Sequence, residues 1–155
     1  MDNHVGMAQF LVTEAPVVIR STGLGSCIGI ALYDPFARVG GLAHAMLPKH
    51  RPGRDDNKAK YVDTAIDAML LEMEVRGASR VNIVAKLAGG SHMFPELESS
   101  MVIGAKNVAA AQGYLGSLGI PILAQDVGGN CGRTVEFDCQ DGSLSISTIN
   151  KLTKI

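Results

Sequence analysis

Alternating hydrophobic and polar positions divide most of the chain into short segments of the β-strand type. Apolar runs bounded by Gly, Pro, Asn or Asp are typical of strands. The pattern predicts strands at residues 7–13, 17–20, 27–33, 39–47, 80–87, 120–126, 134–139 and 144–149. Two other segments, 60–76 and 104–118, repeat their apolar residues at helical spacing and are predicted helices.

The balance of strands over helices predicts an α+β fold. We expect a layered β-sheet sandwich, in which sheet packs on sheet and the helices flank it on the outside. The chain has 155 residues, enough for one buried core. No repeat or long linker divides it, so we predict a single domain over residues 1–155.

The charge balance argues against a nucleic-acid partner. Lys and Arg number 14 against 15 Asp and Glu, which leaves a formal net charge of -1. No run of like charge offers a basic face that could neutralise a phosphate backbone.

The cysteines and the uncharged segments indicate a cytoplasmic protein without membrane insertion. The 3 Cys form no CxxC pair, which suits a reducing compartment. The first residues lack the layout of a secretory signal. The longest uncharged stretch, 107–125, is interrupted by Gly and Pro and is not a typical membrane span.

Two turns allow strand register to be predicted. A four-residue turn over 34–37 would pair Cys27 directly with His44, at a Cβ separation of roughly 5 Å. The Asp-Gly pair at 141 and 142 would likewise pair Cys139 with Leu144, on an apolar face that makes Cys139 a core residue.

The predicted pairing of Cys27 and His44 suggests nucleophilic catalysis. A Cys beside a His can exist as thiolate and imidazolium, and the thiolate attacks a carbonyl carbon readily. The glycines before it, in GLGSC at 23–27, permit positive φ, so N–H groups from Gly25, Ser26 and Cys27 could form an oxyanion hole. The N–H of Cys27 is the first choice of donor. Ser21 is our first candidate for the group that orients His44, and Thr22 the second.

Other uses of these residues have weaker support. A metal site from Cys27, His44, His92 and Cys131 lacks ligand spacing and a local acidic cluster, so no metal is predicted. A phosphate loop at the same glycines lacks the Lys-Ser/Thr that should follow them.

The sequence resembles the CheD family of chemoreceptor glutamine deamidases along nearly its whole length. The resemblance rests on six segments in the same order, namely GLGSC (23–27), GLAHAMLP (41–48), KYVDTA (60–65), KLAGGSHMF (86–94), IGAKNV (103–108) and DVGGNCGR (126–133). It implies a cytoplasmic, cofactor-free hydrolase that converts chemoreceptor glutamines to glutamate. It also implies a fold similar to the catalytic domain of the cytotoxic necrotizing factor toxins.

The resemblance further implies a Cys–His–Thr triad. Cys27 and His44 match its first two positions, whereas Ser21 stands where the family usually has Thr. The same acyl chemistry would serve transamidation or proteolysis, and the resemblance is what favours deamidation. Binding to a CheC-type phosphatase of the response regulator is implied as well, so a non-catalytic or dual-role binding module is the alternative function.

Several loop residues are candidates for the rim where a receptor helix would dock. These are Gly89, Gly90, His92, Gly128 and Gly129, although turn geometry alone would also explain the glycines. Met93 and Phe94 would suit an apolar docking patch if exposed. Asp126, Arg133 and Glu136 are expected to form an ion-pair group that holds the last loop.

Overall fold

The computed structural model describes residues 3–94 and 98–155. Strands and helices of this part are β1 (Gln9–Glu14), β2 (Val18–Leu24), β3 (Ile28–Asp34), β4 (Val39–Ala45), α1 (Val62–Val75), β5 (Val84–Gly89), α2 (Glu98–Ser117), β6 (Ile122–Val127), β7 (Arg133–Asp138), β8 (Leu144–Ser147) and β9 (Leu152–Lys154). All eight predicted strands are present. The short β9 was not predicted.

The strands form two sheets. The larger has the order β1-β4-β3-β5-β6 and the smaller the order β2-β7-β8-β9. Neighbours are antiparallel except β5 and β6, which are parallel and connected through α2. A parallel pair needs such a crossover, because a tight turn can only join antiparallel strands.

Two apolar clusters define three layers. One lies between the sheets and includes Ile19, Leu42 and Phe137, all essentially inaccessible to solvent. The other lies between the larger sheet and the helices and includes Ile30, Met69 and Leu115. The predicted α+β sandwich with outer helices is therefore confirmed.

The register predicted for the β3–β4 hairpin is wrong by two residues. His44 lies opposite Gly29 instead of Cys27, and the loop comprises the four residues between Asp34 and Val39. The side chain of Asp34 accepts hydrogen bonds from the N–H groups of Phe36 and Ala37, at 2.9 and 3.1 Å. These bonds move the centre of the turn one position along the chain.

The register of the β7–β8 hairpin also differs from its prediction by two residues, but in the opposite direction. Phe137 lies opposite Leu144, so Cys139 falls in the loop, where it is buried in the core between the sheets. The N–H of Gly142 donates to the carbonyl of Asp138 at 2.7 Å, and Gly142 has a φ of 78°. A glycine in this left-handed conformation closes a longer loop than the predicted two-residue turn.

The helices begin at other residues than predicted. Residues Lys58–Lys60 form a 3-10 turn, so α1 begins at Val62. Helix α2 begins at Glu98, six residues before the predicted start. Neither these nor any other helix in the described ranges is long and apolar enough to cross a membrane.

Candidate active site

The nucleophile candidate Cys27 lies in the loop between β2 and β3, directly before β3 begins. All three carbonyl groups of this loop accept hydrogen bonds from elsewhere: Gly25 from the Ser91 N–H at 2.8 Å, Ser26 from the Asn107 side-chain amide at 2.9 Å, and Cys27 from the Gly90 N–H at 2.8 Å. The loop is therefore fixed along its whole length by residues distant in the sequence.

These bonds also fix the direction of the loop N–H groups. In a trans peptide the N–H points opposite to the preceding C=O. Because the carbonyl of Ser26 is fixed, the N–H of Cys27 points away from Asn107, in the opposite direction. The fixed carbonyl of Gly25 likewise makes the N–H of Ser26 point away from Ser91. In the described part of the chain no backbone carbonyl accepts from either N–H, and the N–H of Cys27 lies close to its own thiol. Both are available as oxyanion donors.

His44 lies on β4 and is buried between the two sheets, with 1% of its surface exposed. Its Nδ1 is 3.0 Å from the Oγ of Ser21, which comes from β2 in the other sheet. The Ser21 hydroxyl donates its own proton to the carbonyl of Val5 at 2.6 Å. Ser21 Oγ must therefore accept from Nδ1–H, and this fixes the imidazole as the Nδ1–H tautomer.

The fixed tautomer leaves the lone pair of His44 on Nε2. This nitrogen is buried and has no hydrogen-bond partner among the described residues. His44 faces the core between the sheets, because it alternates in phase with Leu42 on β4. Cys27 belongs to the same inter-sheet cluster. The two side chains thus lie on one face even though they are not directly opposite.

Burial disfavours the charged form of both groups. It raises the pKa of the Cys27 thiol above its ordinary value, and the backbone N–H of Cys27 offsets part of that rise. Burial also lowers the pKa of His44 to about 4, with a second contribution from the positive charge of His4. Both shifts disfavour the thiolate–imidazolium pair that the sequence suggests, which stays a prediction. The contact with Ser21 leaves the lone pair of a neutral His44 on Nε2, where it can act as a base.

Thr22, the second candidate for orienting His44, occupies a different position from Ser21. It is exposed, and its Oγ1 lies 3.3 Å from the Nε2 of His4. Strand alternation turns adjacent side chains to opposite faces, which explains why only Ser21 reaches the core between the sheets.

Comparison with known proteins identifies the family. The sequence profile described as CheD chemotactic sensory transduction matches residues 46–148. The chain belongs to the CheD family. A relative named probable chemoreceptor glutamine deamidase CheD, from Caldanaerobacter subterraneus, is 48% identical over 94% of this chain and 92% of its own length. The chemoreceptor glutamine deamidase CheD of Halalkalibacterium halodurans is 47% identical over 95% and 93%.

The residues predicted to form a rim in this CheD family member meet beside the Cys27 loop. The N–H of His92 donates to Gly129 at 2.8 Å, and that of Gly128 donates to Gly89 at 2.9 Å. Gly89 has a φ of 108°, and a Cβ there would stand 2.5 Å from the carbonyl oxygen of Cys27. Only glycine therefore fits at this position.

A groove of about 500 Å³ runs along this rim. One wall carries Gly90, His92, Gly128 and Gly129, and the other is formed by Ala105, Val108, Ala109 and Gln112 of α2. Two apolar residues follow His92 in the sequence. Met93 is half-buried, and Phe94 is 56% exposed. Met93 packs over the loop, because its Cγ would lie 3.0 Å from a Cβ at Gly25.

A buried arginine ties the last loop to the nucleophile loop. Arg133 donates to Asp126 at 3.1 Å and to the hydroxyl of Ser91 at 2.6 Å. Ser91 in turn donates through its hydroxyl to Cys131 and through its N–H to Gly25, both at 2.8 Å. The predicted pair of Asp126 and Arg133 is thus observed. Glu136 does not join it, because alternation on β7 turns Glu136 to solvent.

Sequence analysis did not find two residues of this site. Asn107, fully buried on α2, donates its amide both to Ser26 and to Met46, the latter at 3.0 Å. Val5 supplies the carbonyl that holds the Ser21 hydroxyl. The signals for Asn107 were its place in the family segment 103–108 and a polar residue on the apolar face of a helix. Among the side chains described in residues 3–94 and 102–155, no three His, Cys, Asp or Glu are arranged as metal ligands.

Proposed function

We propose that this chain is a protein-glutamine deamidase that converts glutamine side chains of chemoreceptors to glutamate and releases ammonia. The observation that carries the proposal is the orientation of His44, whose Nδ1 is held by Ser21 and whose Nε2 is left unpartnered within the described chain. A base held in this way can accept the thiol proton of Cys27. Both relatives described above are named as chemoreceptor glutamine deamidases.

In the proposed first step the thiol of Cys27 attacks the carbonyl carbon of the glutamine side chain. Nε2 of His44 takes the thiol proton during the attack, since burial disfavours a preformed thiolate. The N–H groups of Cys27 and Ser26 hold the developing oxyanion. His44, now protonated, gives its proton to the departing ammonia. A thioester remains on Cys27.

In the second step water cleaves this thioester. His44 acts again as the base, and the product is a glutamate side chain with a free Cys27 thiol. An amine in place of water would give transamidation, and a backbone amide as substrate would give proteolysis. The relatives' names favour deamidation over both.

Asn107 is proposed as a positioning residue for this chemistry. Its amide joins the carbonyl of Ser26 in the nucleophile loop to the carbonyl of Met46, two residues after His44. One side chain therefore fixes both the peptide that carries the Cys27 N–H and the end of the strand that carries the base.

The test is to treat chemoreceptor cytoplasmic fragments with the protein and to measure ammonia together with peptide masses. The parent and a Cys131→Ala control should convert glutamine to glutamate, because Cys131 is exposed and has no proposed role. Cys27→Ala should convert none. Ser21→Ala should lose about 100-fold in kcat, near the lower end of what general acid–base catalysis contributes. Failure of the parent to convert any glutamine across several receptors would refute the proposal.

Four further expectations are proposals on the same basis. We infer that the protein works in the cytoplasm, that residues 1–155 form one domain, and that its fold is similar to the catalytic domain of the necrotizing factor toxins. Binding to a CheC-type phosphatase is proposed as its second role. If receptor conversion fails, that binding becomes the main function to test.

A further inference from the structure

A second groove, of about 220 Å³, lies between α2 and the segment that follows β4. Four cationic side chains line it, Lys49, Arg51 and Arg54 on one wall and Lys106 on the other. Its apolar lining comprises Leu47, Pro48, Val102 and Ile103. Val102 and Ile103 are exposed, so the groove is open to a partner.

Two of the acidic residues close to this basic groove in the sequence, Asp55 and Asp63, already have close partners. Asp55 pairs with Lys60 at 2.8 Å, and Asp56 lies 3.6 Å from the His50 ring. Asp63 accepts hydrogen bonds from the backbone N–H groups of His50 and Thr64.

The four cations of the basic groove, in contrast, form no ion pair with any side chain described in residues 3–94 and 102–155. The whole chain carries a net charge of only -1, so this concentration of positive charge is local. It favours a negatively charged partner.

Two residues of the basic groove are sequence neighbours of residues that hold the nucleophile loop. Lys106 precedes Asn107, whose side chain holds the carbonyl of Ser26 beside Cys27. Leu47 follows Met46, whose carbonyl is the second acceptor of Asn107. A protein segment lying in the basic groove would therefore pass close to the loop that carries the nucleophile.

We propose that the basic groove binds the carboxylate side chains of an acidic, amphipathic segment of the protein substrate, beside the glutamine that is converted. This inference rests on the proposed function. Arg side chains bind carboxylates through paired hydrogen bonds, and the apolar lining matches the apolar face of a helix. Nucleic acid is disfavoured, because the basic area is small and the chain has few aromatic residues for base stacking.

The first experiment measures binding by fluorescence anisotropy, with Cys27→Ala in every protein so that no glutamine is consumed. The probe is a labelled amphipathic peptide with a central glutamine flanked by glutamates. The comparison peptide has glutamine in place of those glutamates. We expect the acidic peptide to bind about tenfold more tightly at low salt, and the difference to shrink at high salt through screening.

Charge reversal locates the binding. Arg51→Glu with Lys106→Glu should abolish the preference for the acidic peptide. The matched control, Arg38→Glu with Lys151→Glu, makes the same charge change at two turns outside the groove. This control should keep the preference for the acidic peptide. Equal binding of both peptides, or equal loss in the control, would overturn the proposal. So would groove-dependent binding of anionic phosphatidylglycerol vesicles or single-stranded RNA without any peptide preference.

The binding assay is independent of catalysis. A preference for the acidic peptide in a protein whose active form converts no glutamine would refute the proposed function and leave the groove assignment standing. Glutamine conversion by the active protein without any preference for the acidic peptide would support the proposed function and refute the groove assignment.

Discussion

Replacing Asn107 tests how the nucleophile loop is held. Its amide nitrogen donates to two carbonyl oxygens, those of Ser26 and Met46, and its Oδ1 is buried without a partner in the described chain. Asn107→Asp keeps the shape but replaces the donor with a carboxylate. Asn107→Leu removes both polar atoms.

The expected loss of stability follows from the two carbonyls left without a donor. Each buried, unsatisfied group costs about 1–3 kcal/mol, and Asn107→Leu gains some of this back by removing the unpartnered Oδ1. We therefore expect the free energy of unfolding to fall by about 2–4 kcal/mol. Loss of an oxyanion donor costs about 100- to 1000-fold in kcat. Since Asn107 acts only through the peptide of Ser26 and Cys27, we expect about 10- to 100-fold with little change in KM.

The Asp variant has a pH signature that separates positioning from general damage. A buried carboxyl group facing two carbonyl oxygens has a raised pKa, and its protonated form can donate one hydrogen bond. The kcat of Asn107→Asp relative to the parent should therefore rise several-fold as the pH falls from about 8 to about 5, while that of Asn107→Leu stays constant.

The measurement is steady-state conversion of a receptor fragment, together with thermal unfolding of each variant. Asn150→Asp, at an exposed position near the end of the smaller sheet, makes the same chemical change and should match the parent throughout. A drop in kcat that is independent of pH and equal in both Asn107 variants would refute the positioning role, as would a change confined to KM.

Two further predictions concern burial. Burial lowers the pKa of His44 from 6.5 to about 4, so between these pH values the unfolded chain binds one more proton than the folded chain. The free energy of unfolding therefore falls as the pH is lowered through this range. Unfolding free energies measured from pH 7 to about pH 4.5 should fall by about 2–3 kcal/mol more in the parent than in His44→Gln, and identical pH dependence would contradict the neutral histidine. In iodoacetamide labelling followed by mass spectrometry, exposed Cys131 should react first and Cys139 last, since burial raises the pKa of Cys139 to about 12. Faster labelling of Cys27 than of Cys131 would contradict the raised pKa of the Cys27 thiol.

The sequence pattern predicted more accurately which residues share a face of a sheet than which residues lie directly opposite each other on neighbouring strands. Both hairpin registers were wrong by two positions, yet Cys27 and His44 still face the same core. The reason is the two-residue period of a strand, because a shift by two keeps every side chain on its side of the sheet, whereas a shift by one would have separated the pair. Turn hydrogen bonds such as those of Asp34 set the register, and their effect was not visible in the pattern of apolar residues.

What sequence reasoning missed depends on contacts between distant segments. Asn107 bonds to residues 81 and 61 positions away, so no local pattern marks its role. Gly104 resembled a helix boundary, but it lies inside α2, where a Cβ would stand 2.7 Å from the carbonyl oxygen of Gly90. The raised pKa of Cys27 was missed for a related reason, since the sequence suggested a neighbouring His but not how deeply both groups are buried.

The Ser at position 21 shows how a distant contact can replace a local constraint. Thr, the residue expected from the family resemblance, would be held partly by the rotamer preference of its branched side chain, and Ser lacks that preference. Here the hydroxyl of Ser21 is instead directed by the carbonyl of Val5 at 2.6 Å. Val5 is itself held, because its N–H donates to Arg20 at 2.7 Å. The orientation of His44 therefore depends on the segment before β1, which carries no catalytic side chain of its own.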